Sequence, residues 1–180
     1  MMGRTLMIAA LALALGGCAA YSWKSTVPAD MRTVTVSVFR NTSKITEMGT
    51  VCAAELGREL QREGTFRLSD EGALELQGEV VSSTGGTRYN ERAYGQRYRN
   101  GELKVAVRVS LIDKRRGAVL WDARQFEAAT GVVYGGRDTV TAERDASGRI
   151  AEDLARQIVD ALAACDFRKK SEDSGNKETK

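Results

Sequence analysis

Apolar and polar residues alternate strictly from Thr33 to Ser37 and on to Val38, with Val34, Val36 and Val38 on one side and Thr33, Thr35 and Ser37 on the other. A period of two is that of a strand with one buried face, so this run predicts a first strand over 33–39, closed by Arg40-Asn41-Thr42-Ser43. From Ile45 the spacing changes to threes and fours: Ile45, Met48, Cys52, Leu56 and Leu60 draw one stripe along an amphipathic helix. Gly64 is its natural terminator, while Gly49 and Gly57 each weaken a free helix by up to about 1 kcal/mol, so packing must hold it.

The period of two returns after Phe66 and Leu68. Leu74, Leu76 and Val80 alternate with Glu75, Gln77 and Glu79, and Gly78 stands where an inward side chain is due. Leu103, Val105, Val107, Val109 and Leu111 give the clearest strand, and Ala118 to Thr130 answers it across the polar turn Asp113-Lys114-Arg115-Arg116-Gly117 as a hairpin. A last helix begins between Thr139 and Ser147 and carries Ile150, Leu154, Ile158, Ala161, Leu162 and Cys165 on one stripe. The order β-α-β-β-β-α predicts an α+β two-layer sandwich, a four-stranded, mostly antiparallel or mixed sheet with both helices on one face.

Composition narrows the chemistry. The chain of 180 residues contains no His, which excludes Ser-His-Asp and Cys-His catalysis and every His-based metal site. The paired acids Asp70-Glu71 and Glu152-Asp153 are chain neighbours that point apart, and no nucleophile accompanies them. Gly85-Gly86 and Gly131-Val-Val-Tyr-Gly-Gly136 lack the endings of phosphate loops and read as turns. No catalytic residue, metal ligand or cofactor is therefore expected, and the protein reads as a non-enzyme. Cys52 and Cys165 lie on apolar stripes and read as small hydrophobes.

The beginning of the chain is an address. Arg4 precedes the uninterrupted apolar run from Leu6 to Leu15, about 15 Å as a helix against about 30 Å of hydrocarbon, which is a signal-peptide layout and too short to span a bilayer. Leu15-Gly16-Gly17-Cys18 then resembles the bacterial lipobox. That resemblance implies a leader over 1–17, lipidation of Cys18, and a mature chain whose acyl groups anchor it, since two or more chains hold a protein to a membrane stably. Ala19 implies sorting to the periplasmic face of a Gram-negative outer membrane. The organisation expected is a lipidated tether over 18–31, one domain over 32–165 and a disordered polar tail over 166–180.

The formal excess of +3 charges is matched by one segment. Thr84 to Gly101 is eighteen residues, long for a hairpin loop, and with its flank holds Arg88, Arg92, Arg97, Arg99 and Lys104 against Glu91 and Glu102. It also holds Tyr89, Tyr94 and Tyr98, three of the five tyrosines. Guanidinium forks match phosphate and carboxylate, and tyrosine suits half-wet contacts, so one reading is a surface for an anionic amphiphile or a protein partner. The other is an extended hairpin whose Arg residues keep an edge soluble. Nucleic acid is not expected as a partner in that compartment.

The ordered set of segments resembles the LptE family, the lipoprotein subunit of the outer-membrane lipopolysaccharide translocon. The resemblance rests on Cys18-Ala-Ala-Tyr21-Ser-Trp23, Thr33 to Thr42, Glu59 to Leu68, Glu102 to Val109, Gly117-Ala-Val-Leu-Trp121 and Ala151 to Leu162. It implies a protein that plugs an LptD-like β-barrel, assists its assembly and contacts lipopolysaccharide. Val38-Phe39-Arg40-Asn41-Thr42 also resembles the first strand of peptidoglycan-synthase activators and curli-type secretion lipoproteins such as LpoB and CsgG, which would bind a synthase or form a ring.

Overall fold

The computed structural model describes residues 27–93, 96–135, 139–165 and 167, and the side chains of all these except 84–100 and 134–139. A short 3₁₀ turn, Ala29–Met31, leads into β1 (Thr33–Val36), β2 (Arg40–Asn41), α1 (Met48–Glu63), β3 (Arg67–Leu68), β4 (Leu74–Ala93), β5 (Gln96–Asp113), β6 (Ala118–Gly135) and α2 (Thr139–Ala163). The sheet has six strands rather than the four expected, ordered β3-β1-β4-β5-β6 with β2 also paired to β4. It is mixed: β1 lies parallel to β3 and β4, and β4-β5-β6 is an antiparallel meander.

The first extra strand arises because the 33–39 run does not stay straight. Val34 is buried and Val36 half-buried, but Val38 is 72% exposed and Phe39 takes the inward place at 3%. Gly78 makes room for it, since a Cβ there would stand 2.4 Å from the Phe39 ring. Pairing with β4 then resumes at Arg40↔Glu79 and Asn41↔Val80. Asn41 shapes the exit: its Nδ2 donates to the carbonyls of Ile45 (2.7 Å) and Thr46 (3.0 Å), and its Oδ1 accepts from the Ser43 N–H. The helix starts at Met48, whose N–H also donates to the Ile45 carbonyl at 3.1 Å.

Along α1, Met48, Cys52, Leu56 and Leu60 are buried as the stripe predicts, and Gly64 ends the helix at φ +79° with its N–H on the Leu60 carbonyl. Gly49 is required by a close approach, because a Cβ would fall 2.3 Å from the Phe39 carbonyl oxygen. Leu103, Val105, Val107, Val109 and Leu111 of β5 join Ile150, Leu154, Ile158 and Leu162 of α2 and the α1 stripe in one core, while Lys104 and Arg108 on the alternate positions are exposed.

Residues on both sides of 32–165 also pack on the body. Val27 and Met31, inside the segment read as tether, are 2% and 3% exposed. Phe167, inside the segment read as tail, is 1% exposed and packs on Phe66 with ring centroids 6.5 Å apart. Asp30 ties the 3₁₀ turn to the far hairpin by accepting from Arg115 Nη2 at 2.8 Å. Cys52 and Cys165 are both buried and free, and burial pushes the Cys52 thiol up to about 12.

Candidate functional site

The described residues of the segment expected as a hairpin loop, 84–93 and 96–101, are strand. β4 runs for 20 residues and β5 for 18, and their ladder continues through Thr87↔Gly101, Asn90↔Arg99 and Arg92↔Arg97 to Ala93↔Gln96. At about 3.3 Å per residue each strand is some 60 Å long, so the hairpin extends as an arm past Leu103, with β6 beside it as far as Tyr98↔Gly135. The backbone here is that of an extended hairpin. The arm escaped hydrophobic patterning because that signal reports a buried face, and a polar ribbon is held by its backbone ladder instead.

The register sorts the candidate residues. No residue is inserted in β5 between 96 and 109, so positions Arg97 and Arg99 share a face with Leu103 and Val105, whereas Tyr98 shares the opposite face with Lys104. Arg92 stands opposite Arg97, which puts positions 92, 97 and 99 on one face. Tyr89 stands opposite Asn100 on the face of Tyr98, and Arg88 is the extra residue of a bulge between Thr87 and Tyr89. Arginine and tyrosine positions are thus largely segregated to the two sides of the arm, a signal that the alternation Arg97-Tyr98-Arg99 already carried. Tyr94 and Cys18 lie outside the described residues.

Lys104, at the base of the arm, is engaged within the sheet. Its Nζ meets Glu127 Oε2 of β6 at 2.5 Å, and Gln125 Nε2 donates to Glu127 Oε1 at 2.8 Å. The hydrogen bond and charge of Glu127 raise the Lys104 pKa, and those of Lys104 together with Gln125 lower that of Glu127. Both side chains are solvent-exposed, so the pair fixes charge positions on the open face more than it stabilises the fold.

Elsewhere the meander is shaped by polar bonds. Asp113, 1% exposed, accepts at Oδ1 from the N–H groups of Arg115 and Arg116 and folds the turn into which Gly117 supplies φ +63°. In β6, Ala123 adopts φ +46° at a bulge and donates its N–H to Ser110 Oγ at 3.1 Å. Trp121 and Phe126 on either side are buried, and Arg124 lies 5.4 Å above both rings. Among the described residues no three acidic or Cys side chains gather as a metal site, and no helix is long and apolar enough to cross a membrane.

The ladder thus carries arginine and tyrosine positions outward from the two-layer body. Residues 31–162 match the model of a family described as LptE, lipopolysaccharide-assembly. The chain belongs to the LptE family. The match runs from the 3₁₀ turn through α2 and so takes in the whole sheet, the arm included. No curated protein sequence matches the chain. Among solved structures it is similar to a minor lipoprotein from Acinetobacter baumannii, with 17% identity over 74% of this chain and 94% of that one and a TM-score of 0.47. A putative lipoprotein from Caulobacter crescentus is 22% identical over 71% of this chain and 88% of its own, with a TM-score of 0.45.

Proposed function

We propose that this LptE-family chain is a lipid-anchored protein of the outer membrane's periplasmic face that sits in the lumen of an LptD-like β-barrel, assists its assembly and contacts lipopolysaccharide in transit. The observation that carries the reading is the family match over 31–162, which spans every strand and both helices of the body. The leader pattern ending at Cys18 supports the anchor: residues 1–17 are removed, Cys18 carries acyl chains, and a short lead joins it to a body packed from Val27 to Phe167. The two-sided sheet supports the plug. One face holds the helices and the core; the other carries Lys104, Arg108, Gln125 and Glu127, a polar surface suited to a wet lumen.

The work is done by fit and charge, with no cofactor and no bond made or broken. Arg88, Arg92, Arg97 and Arg99 supply guanidinium forks for phosphate or carboxylate, Tyr89, Tyr94 and Tyr98 supply amphipathic area, and Lys104 sits at the base of the arm. Two measurements test this. Purification of the tagged chain from detergent-solubilised outer membrane is expected to bring down a β-barrel protein in stoichiometric amount, and depletion is expected to reduce lipopolysaccharide at the cell surface. A chain that instead runs as a large homo-oligomer, with surface lipopolysaccharide unchanged on depletion, would replace this reading with a ring-forming or synthase-activating lipoprotein.

A further inference from the structure

β6 is an edge strand of 18 residues, paired to β5 on one side only. A long bare edge is a template for pairing with any other unpaired strand. Here α2 lies along it and caps it. Gln157 Nε2 donates to the Glu127 carbonyl at 3.1 Å, and Arg149 Nη2 donates to the Gly131 carbonyl at 3.3 Å. Both carbonyls must point away from β5, and so, by alternation, must the N–H and C=O of Ala129 between them. Around the Gln157 cap a recess of about 430 Å³ opens over Ala128 and Ala129, walled by Asp153, Arg156 and Asp160 of the same helix. Asp153 and Arg156 are bonded to each other at 2.6 Å, and Ala129 is exposed.

The exposed stretch is also complementary to itself. A two-fold axis at Ala129 would set Glu127 against Gly131, Gln125 against Val133 and Ala128 against Thr130. No like charges meet, the centre is all small residues, and Val133, now 61% exposed, would be covered. We infer that the outer edge of β6 around Ala129 is a latent strand-pairing surface for a second copy of this chain, held closed by Arg149 and Gln157 of α2.

The test uses the whole mature chain from Cys18 to Lys180 with Cys18→Ser, so that no acyl group drives association. In that background the parent is expected to be a monomer by light scattering. The double variant Arg149→Ala/Gln157→Ala is expected to keep its circular dichroism and to double in mass as concentration rises. Adding Ala129→Pro, which removes an edge-facing N–H and no bond of the β5-β6 ladder, is expected to return it to a monomer. A double variant that stays monomeric, or whose association survives Ala129→Pro, overturns the inference. So does a parent that is already a dimer, or a double variant that loses its native circular dichroism, because the two side chains would then be holding the fold and not closing its edge.

Discussion

Three glycines show how a single missing methyl decides packing. At Gly49 and Gly78 a Cβ would collide with Phe39, with its carbonyl in one case and its ring in the other, whereas at Gly57 a Cβ would make an ordinary contact with Leu68 Cδ1 at 3.4 Å. Gly49→Ala is therefore expected to destabilise by about 1–3 kcal/mol despite a helix-propensity gain of up to about 1 kcal/mol. Gly57→Ala is expected to stabilise by about 0.5–1 kcal/mol. Urea midpoints of the two variants should move in opposite directions. Glu75 gives a second residue-scale outcome. Hydrogen bonds from Gln77 Nε2 at 3.0 Å and Ser37 Oγ at 2.9 Å hold its carboxyl below the ordinary glutamate value. A carboxylate lowered in the folded state contributes stability above its unfolded pKa and loses it as pH falls through the folded one. Stability should thus fall on acidification through that window, and Glu75→Gln should flatten the fall, as read from urea midpoints between pH 7 and pH 3.

At the scale of elements, the arm separates folding from binding. Positions 88, 92, 97 and 99 lie beyond Leu103, which among the described side chains is the last of β5 toward the arm to join the core. Replacing all four by Ala is expected to leave the melting temperature unchanged while weakening capture of lipopolysaccharide or the barrel tenfold or more, since hydrogen bonds to charged groups are worth about 1.5–3 kcal/mol each. Unchanged capture at low salt would remove the arm from the interface. The arm is also where the sequence was least legible. Its Gly, Arg and Tyr composition shows no row of apolar residues, and only the cross-strand ladder, Asn90 to Arg99 for example, reveals it as strand. By contrast, the β5 row from Leu103 to Leu111 and both helix stripes were legible because each buries one face along its own length.

For the whole molecule, closure of the core depends on both ends. Phe66 just ahead of β3 and Phe167 beyond α2 meet at 6.5 Å, so a buried residue past α2 packs back on the segment that enters β3. A chain ending at Phe167 is expected to keep the full-length urea midpoint, and one ending at Asp166 is expected to lose about 3–5 kcal/mol, the usual effect of deleting a buried aromatic ring. Asp30 and Arg115 fasten the opposite end, joining the entry turn to the β5-β6 hairpin. Among the described residues the body is thus fastened near both of its ends.

The sequence by itself determined the kind and order of the main elements, the valine and leucine rows of the core, the absence of His-based chemistry and the lipobox-like lead, because each of these is written in residues that are close along the chain. The tertiary structure alone decided where the first strand breaks, which glycines are obligatory, how far the hairpin zips, and that α2 guards the β6 edge. Those features are set by pairings across the sheet and between its layers, such as Arg149 on Gly131 or Phe39 over Gly78, brought together only when the sheet forms. Periodicity reports which face of a segment is buried; it carries no information on what that face will meet.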